Sequence, residues 1–410
     1  MKEPKIRFKG FRGEWEKKKL GAMTSVRGGY AFQSSLFQKS GIPVVRISNI
    51  LSNGNVGGDF VYYPRLDGDT NITIHEKDVV IAMSGATTGK IARVDVGDGI
   101  LYQNQRVGLF TKTGKVDYDF LYTVLNRPHF NELLNKLLTS SAQPNASSAD
   151  IESIEMEFPE DAEEQKALSN YILSLDSLIQ STTKKIESLK QVKTASLQSM
   201  FPQEGETTPR VRFKGFEGEW EKVKFGEIAK ISRGLTYSPF NLRDKGVRVL
   251  RSSNIDEDVF VISESDVFVN KECINIEYAE DGNILVTAAN GSPRLVGKHA
   301  IINNIGTNPT VVGGFMLLIS SNESAFLNAS MSSIWYSNFL KVGVSGGNGA
   351  IGNLSKQDLE DTELLIPNKK AERNHIATYF TSLDRQITLQ TQRLEKLKQI
   401  KAACLDNMFV

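Results

Sequence analysis

The sequence predicts an α+β chain of two tandem, pseudo-symmetric copies. Each copy is a strand-rich α/β domain followed by a long helix, and the two helices pair as an antiparallel coiled coil. Three observations predict this. A string of 18 residues recurs about 200 residues downstream, β-branched runs alternate with Gly, Asn and Ser turns, and two stretches of 40 residues lack Gly and Pro while carrying heptads.

The repeat comes first because it resets the whole fold argument. Pro4 to Gly21 reads PKIRFKGFRGEWEKKKLG and Pro209 to Gly226 reads PRVRFKGFEGEWEKVKFG, with 13 of 18 positions identical. Arg46-Ile47-Ser48-Asn49-Ile50 is answered by Arg251-Ser252-Ser253-Asn254-Ile255. Further on the offset grows by three residues: Gly89-Lys90 answers Gly297-Lys298, Pro159 answers Pro367, and Met200-Phe201 answers Met408-Phe409. Chance similarity does not hold register over such a length. Domain limits follow at 1–158 and 204–366 for the two α/β domains, and at 159–203 and 367–410 for the two helices.

Runs such as IPVVRISNI, DVVIAMSG, KIARVDV and RVGLFTK read as short strands, and Tyr118 to Leu138 reads as helix. Residues 162–201 form one uninterrupted helix that Pro202 stops, and residues 370–409 match it. Leu168, Ile172, Leu175, Ile179, Ile186 and Leu189 make an apolar seam in the first helix; Ile376, Phe380, Leu383, Ile387, Leu394 and Leu397 make one in the second. Polar interruptions coincide too: Thr182 with Gln390, Lys193 with Lys401, Ser196 with Cys404. Such a helix is roughly 60 Å long. The connector 202–208 reaches at most about 25 Å and cannot retrace it. The second domain is therefore expected at the far end of the first helix, with the second helix running back and the chain termini near each other.

Composition excludes several classes. Hydrophobic residues make up 40% and charged residues 24%, as in a soluble globular protein. No apolar run approaches the roughly 18 residues of a membrane span. The charged start lacks the apolar stretch of a signal peptide, so a cytoplasmic location is expected. The two cysteines, Cys273 and Cys404, make no disulfide framework or zinc spacing. Net charge is +1, which does not advertise nucleic-acid binding, although the first 21 residues hold eight Lys/Arg and three Asp/Glu.

No catalytic constellation is readable. Asn308-Pro309-Thr310 and Asn126-Arg127-Pro128-His129 miss the Asn/Asp-Pro-Pro-aromatic pattern of adenine methyltransferases. Gly85-Ala-Thr-Thr-Gly89-Lys90-Ile91 is one residue short for a phosphate loop and has Ile where Ser/Thr must meet Mg²⁺. The histidines 75, 129, 299 and 375 are scattered, with no HExxH among them. The expectation is a non-catalytic chain without cofactor or metal.

These pieces follow one another in the first copy, and the second copy echoes their order: the R-x-S-N-I strand, DVVIAMSGATTGK, Tyr102-Gln103-Asn104-Gln105, a Ser/Gln/Asn-rich loop, Glu155-Met-Glu-Phe-Pro159, and Glu163-Glu164-Gln165 opening the helix. The arrangement resembles the specificity subunits of Type I restriction–modification systems. The resemblance implies two target-recognition domains that read the halves of a bipartite, gapped, asymmetric DNA target, spaced by the conserved helices. It also implies double-stranded DNA as ligand, two methyltransferase subunits as partners and, for cleavage, two ATP-dependent restriction subunits. The chain departs from the pattern at Ala371-Glu372-Arg373, where Glu-Gln is usual, and at Ala289-Asn290-Gly291-Ser292 against Met83-Ser84-Gly85-Ala86.

Groove reading needs Arg/Lys for guanine and Asn/Gln for adenine, with Ser/Thr and Gly turns for phosphate. In the first domain Ser84, Thr87, Thr88 and Lys90 suit phosphate or groove contact. Gln103, Asn104, Gln105, Arg106, Ser141, Gln143 and Asn145 suit base edges. In the second, the expected set is Asn290, Ser292, Arg294, Lys298, Asn303, Asn304 and Asn348. Any one of these could instead cap its own turn. Arg7-Phe8-Lys9-Gly10-Phe11 and Trp15 read as aromatic anchoring rather than a nucleic-acid patch. The competing readings are a coiled-coil scaffold with two β-rich ligand-binding domains and no DNA role, and an enzyme whose nuclease or methyltransferase site is concealed.

Overall fold

The β-branched runs of the first copy form two four-stranded sheets in the computed structural model, which describes residues 3–95, 97, 99–140, 145–345 and 352–410. One sheet is antiparallel, in the order Val26–Arg27, Val107–Phe110, Val79–Ala82, Ile91–Arg93. The other runs Val61–Tyr63, Ile42–Val45, Leu101–Gln103, Thr73–Ile74, with 42–45 parallel to 101–103. All four residues of Val79–Ala82 are buried. Val79 and Ile81 point into one core and Val80 and Ala82 into another, the two-residue period of a strand covered on both faces. The second copy repeats this plan, except that the edge strand of its second sheet is added at the opposite side. Lys230–Arg233, Met316–Ser320, Ile284–Thr287 and His299–Ile301 form one sheet, and Leu242–Arg243, Val267–Val269, Val247–Leu250 and Thr310–Val312 the other.

A two-stranded ribbon ties each copy's repeated string to the foot of its long helix. Glu16–Lys19 pairs antiparallel with Glu155–Phe158, and Glu221–Lys224 with Glu363–Ile366. The long helices span Ala162–Met200 and Lys370–Asn407. Asp161 Oδ1 accepts the Glu163 N–H at 2.8 Å at the start of the first, and Glu163 and Glu164 in its first turn suit the helix dipole.

The chain divides into two units, Met1–Thr183 with Arg393–Val410, and Lys184–Gln392. Each unit holds one sheet pair and a piece of each long helix, and within each the helices run antiparallel. In the first unit Lys401 pairs with Asp176, and Met408 and Phe409 share a core with Leu168 and Ile172. In the second, Lys193 pairs with Asp384 at 2.6 Å, Ser196 meets Tyr379 at 2.9 Å, and Met200 and Phe201 share a core with Ile376 and Phe380. The polar breaks at Lys193 and Lys401 are thus interhelical ion pairs at repeat-equivalent places. All seam positions are buried or half-buried, whereas Leu178, Val192 and Leu389 off the seam are exposed. Ile6 donates its N–H to Asn407 O at 2.8 Å, so the first residues do meet the last helix; Val211 makes the same bond to Ser199 O at 2.9 Å.

The repeated string anchors the start of a long helix within each unit. Arg7 Nε and Nη2 grip Glu164 at 2.7 and 2.7 Å, and Arg212 grips Glu372 at 2.6 and 2.8 Å. In each case the third guanidinium nitrogen donates to a carbonyl at 2.6 Å, that of Gly13 or Gly218, and both glycines have positive φ. Phe8 packs edge-on against Tyr171, and Trp15 against Phe120 and Phe409. The departure at Arg373 is compensated. Where Gln165 accepts the Asp117 N–H and donates to Pro159 O, Arg373 donates to Pro367 O and pairs with Glu323 at 2.7 Å.

Phe409 is 4% exposed; it stacks on Phe120 at 5.9 Å and lies under the Arg127 guanidinium at 4.8 Å. Phe409→Ala should therefore cost about 3–5 kcal/mol, the usual price of such a cavity. Hydrogen exchange is the measurement: protection should fall among residues 15–175, remote in sequence, and a loss confined to the last helical turns would contradict the assignment.

Candidate nucleic-acid interface

Three segments meet at one end of each unit, held by matching backbone bonds. In the first unit Met83 N donates to Arg106 O at 2.9 Å, and Met83 O accepts from Ala146 N at 2.9 Å. In the second, Ala288 N donates to Phe315 O at 2.8 Å, and Ala288 O accepts from Leu354 N at 2.7 Å. The segment after Val79–Ala82, the turn before Val107–Phe110 and the stretch before the last short helix thus converge. A fourth strand end presses in from behind. A Cβ on Gly29 would lie 2.1 Å from Asn104 O, and one on Gly234 would lie 1.9 Å from Gly313 O, so only glycine passes there.

In the first unit the segment 84–90 forms a 3₁₀ turn, Gly85–Thr87, rather than a phosphate cradle. Thr88 Oγ1 donates to Gly85 O at 2.7 Å and Lys90 Nζ to Ser52 Oγ at 3.0 Å. Ser84 Oγ and Thr87 Oγ1 are buried and without a hydrogen-bond partner. Asn104 is half-buried and its Oδ1 accepts the Arg106 N–H at 3.3 Å, shaping the turn on which Gln105 and Arg106 are exposed. Asn145 is exposed beside them. Gln103 departs from expectation. It is fully buried; its amide donates to Arg27 O and Val107 O, and its Oε1 accepts from Arg27 Nε at 3.0 Å. With these bonds made inside the domain, no amide edge is left for a base. Arg27 in turn has its pKa lowered by burial. Ser141, Gln143 and Asn348 lie outside the described residues.

In the second unit Asn290 Nδ2 donates to Ser252 Oγ at 3.1 Å, tying it to the turn Ser252–Asn254, and its Oδ1 accepts the Ser292 N–H at 2.9 Å, closing its own turn. Arg294 is exposed and Lys298 half-buried; both line a cleft of about 620 Å³ with Lys190, Lys193 and Asp384. Asn303 and Asn304 require a correction. They follow His299–Ile301, where Ile302 N donates to Asn283 O, at the opposite end of the hairpin from Asn290 to Lys298. The true counterpart of Asn104-Gln105-Arg106 is Gly313-Gly314-Phe315, between Thr310–Val312 and Met316–Ser320. Residue type alone points to the asparagines. The signal that finds the turn is a glycine pair between two apolar strand runs, TVV and MLLI. Asn49 and Asn254 are structural: each is buried, accepts the backbone N–H of Arg46 or Arg251, and donates onward. Arg251 is exposed; with Tyr237, Asn290 and Phe315 it lines a cleft of about 630 Å³.

Among the described residues no group of three or more His, Cys, Asp or Glu is placed to hold a metal ion, and no helix is long and apolar enough to cross a membrane. His299 is a core residue. Its Nδ1 faces Asn328 Oδ1 at 2.9 Å and its ring stands edge-on to Tyr336 at 5.4 Å. Burial lowers its pKa, Lys193 lowers it further, and Asn328, Asp258 and the Met331 backbone oppose this. The folded state therefore holds fewer protons than the unfolded one below about pH 6.5, and stability is lost as pH falls through that value. The repeat places Ile91 at this position in the first unit. His299→Ile should flatten the acid limb of the second unit's urea midpoint against pH; an unchanged slope would remove His299 as its cause.

A duplicated scaffold that presents unlike loop tips on one backbone frame defines a class of recognition protein. The model of the family described as Type I restriction modification DNA specificity domain matches residues 12–191 and 217–399. The chain belongs to that family, with two copies of the domain. A stretch of 189 residues is 29% identical to the specificity subunit of the Type I restriction enzyme MjaVIII from Methanocaldococcus jannaschii, covering 44% of this chain and 44% of that protein, so the match spans less than half of the relative's length. The fold is similar to the crystal structure of the S subunit of a Type I restriction-modification system from M. genitalium, with a TM-score of 0.65, 14% identity and coverage of 100% of this chain and 99% of that one.

Proposed function

We propose that this chain is the non-catalytic DNA-recognition subunit of a Type I restriction–modification complex. It reads a bipartite, gapped, asymmetric target, one half-site per unit, and directs two methyltransferase subunits and, for cleavage, two ATP-dependent restriction subunits to it in the cytoplasm. Residues 1–158 and 204–366 are the two readers, and 159–203 and 367–410 the spacer helices. The observation that carries this reading is the shared three-segment frame with different tips: Asn104-Gln105-Arg106 on one copy and Gly313-Gly314-Phe315 on the other. A common frame with unlike tips is what two unlike half-sites require.

Within that frame we assign DNA contact to Thr88, Lys90, Gln105, Arg106 and Asn145 in the first reader, and to Ser292, Arg294 and Lys298 in the second; the buried hydroxyls of Ser84 and Thr87 are left out. Lys90, Arg106, Arg294 and Lys298 supply cations for phosphate or guanine, and the hydroxyls supply phosphate contacts. With a net charge of only +1 the chain alone should bind DNA weakly, and affinity should rise once partner subunits join.

Two outcomes are expected. The complex reconstituted with its methyltransferase subunits should lose DNA affinity steeply as salt is raised, read by gel shift; salt-independent or absent binding would favour the scaffold reading. Exchanging residues 1–158 for the first reader of another family member should change one half-site of the methylated sequence. Alteration of both halves would show that the readers do not act separately.

A further inference from the structure

The turn that joins the two sheets ends in each reader on an exposed side chain, and it differs in kind: Arg106, beside exposed Gln105, in the first and Phe315 in the second. Arg106 and Phe315 hold the same place: each offers its backbone oxygen to the residue after the central strand, Met83 or Ala288. Phe315 O accepts a second bond, from Ala289 N at 3.0 Å, so the tip's backbone is pinned. Its two predecessors are glycines, leaving Phe315 the only side chain on the turn, and that side chain is 68% exposed. A phenyl group held out on a braced turn contributes little to the domain's own core. It lines the cleft with exposed Arg251, whose repeat counterpart Arg46, half-buried, precedes the equivalent 3₁₀ turn of the first reader.

We propose that this position determines one base pair in each half-site: guanine through Arg106 and thymine through Phe315. The inference rests on the DNA-reading function proposed above and deepens it. In the major groove a guanidinium meets guanine O6 and N7 in a bidentate pair, whereas a group without donors or acceptors can be rewarded only by the thymine methyl. A phosphate role for this position fits poorly. Phosphate contacts carry no sequence information, and phenylalanine could not preserve one in the second copy. Arg46 and Arg251, common to both readers, suit the backbone contact instead.

The test uses the full chain reconstituted with its methyltransferase subunits and a randomised library of gapped duplexes, from which bound sequences are recovered. Phe315→Arg should convert one T·A pair of the second half-site to G·C with at least about tenfold preference, leaving the first half-site as it was. Arg106→Phe should do the converse in the first half-site. Replacing the thymines of the second half-site one at a time by uracil, which lacks the methyl, should weaken the unaltered protein about fourfold at one of them, the value of one buried carbon, and leave Phe315→Ala indifferent. The uracil measurement on unaltered protein does not depend on any variant folding. If the variants select the unaltered sequences, or uracil binds as well as thymine, the position does not read a base and the proposal falls while the proposed function stands. If unaltered complexes select no sequence at all, both fall together.

Discussion

The core of each unit is completed by residues that reach it at the end of a long helix. Phe409 enters the first core between Trp15 and Phe120, and Phe201 enters the second among Trp220, Phe326 and Phe380. An aromatic side chain buries about 150–250 Å², a large share of what holds a small domain. The first long helix therefore starts in one unit's core and ends in the other's, and the second does the reverse. Antiparallel pairing within each unit follows from that requirement, and the seam residues and the Asp176–Lys401 and Asp384–Lys193 pairs refine its register.

The repeated string is the fastener at this junction. Removing one partner of a buried, bidentate arginine–carboxylate pair typically costs about 3–5 kcal/mol, because the other charge is left without compensation. The pair therefore constrains position more than it adds stability. Arg7 joins the N-terminal segment to the first turn of the long helix at Glu164, and the backbone bond from Ile6 reaches the last turn of the other helix. The exchange of Gln165 for Arg373 keeps this junction closed by a different route, recruiting Glu323 in place of a backbone amide. Such compensation lets a charged residue replace a neutral one at a half-buried site.

Scaffold and tips divide the work at the loop end of each unit. Glycines at 29 and 234 let strand ends approach within contact distance, and the bonds among Met83, Arg106 and Ala146, or Ala288, Phe315 and Leu354, hold three segments together whatever side chains they carry. The frame can stay constant while the tips change. Several polar residues in the region belong to the frame. Gln103 is bound inside the domain, Asn49 and Asn254 brace turns, and Asn290 closes the one it begins.

Duplication, heptad seam, helix limits and the absence of familiar catalytic motifs were legible in the linear sequence. These are periodic or near-identical features, and periodicity is a local property of the chain. Which polar residue faces solvent is not local. Gln103 and Gln105 look alike in sequence, yet Gln103 ends a buried strand and is bonded to Arg27, while Gln105 lies on the turn beyond it and is exposed. The offset between copies drifts after Ala288, and the bond from Ala288 to Phe315 places a glycine pair and a phenylalanine where the first copy has Asn-Gln-Arg. Sequence by itself determined the elements and their order, because side-chain pattern dictates helix and strand. Tertiary structure decided which loop tips meet, because that depends on hydrogen bonds between segments far apart along the chain.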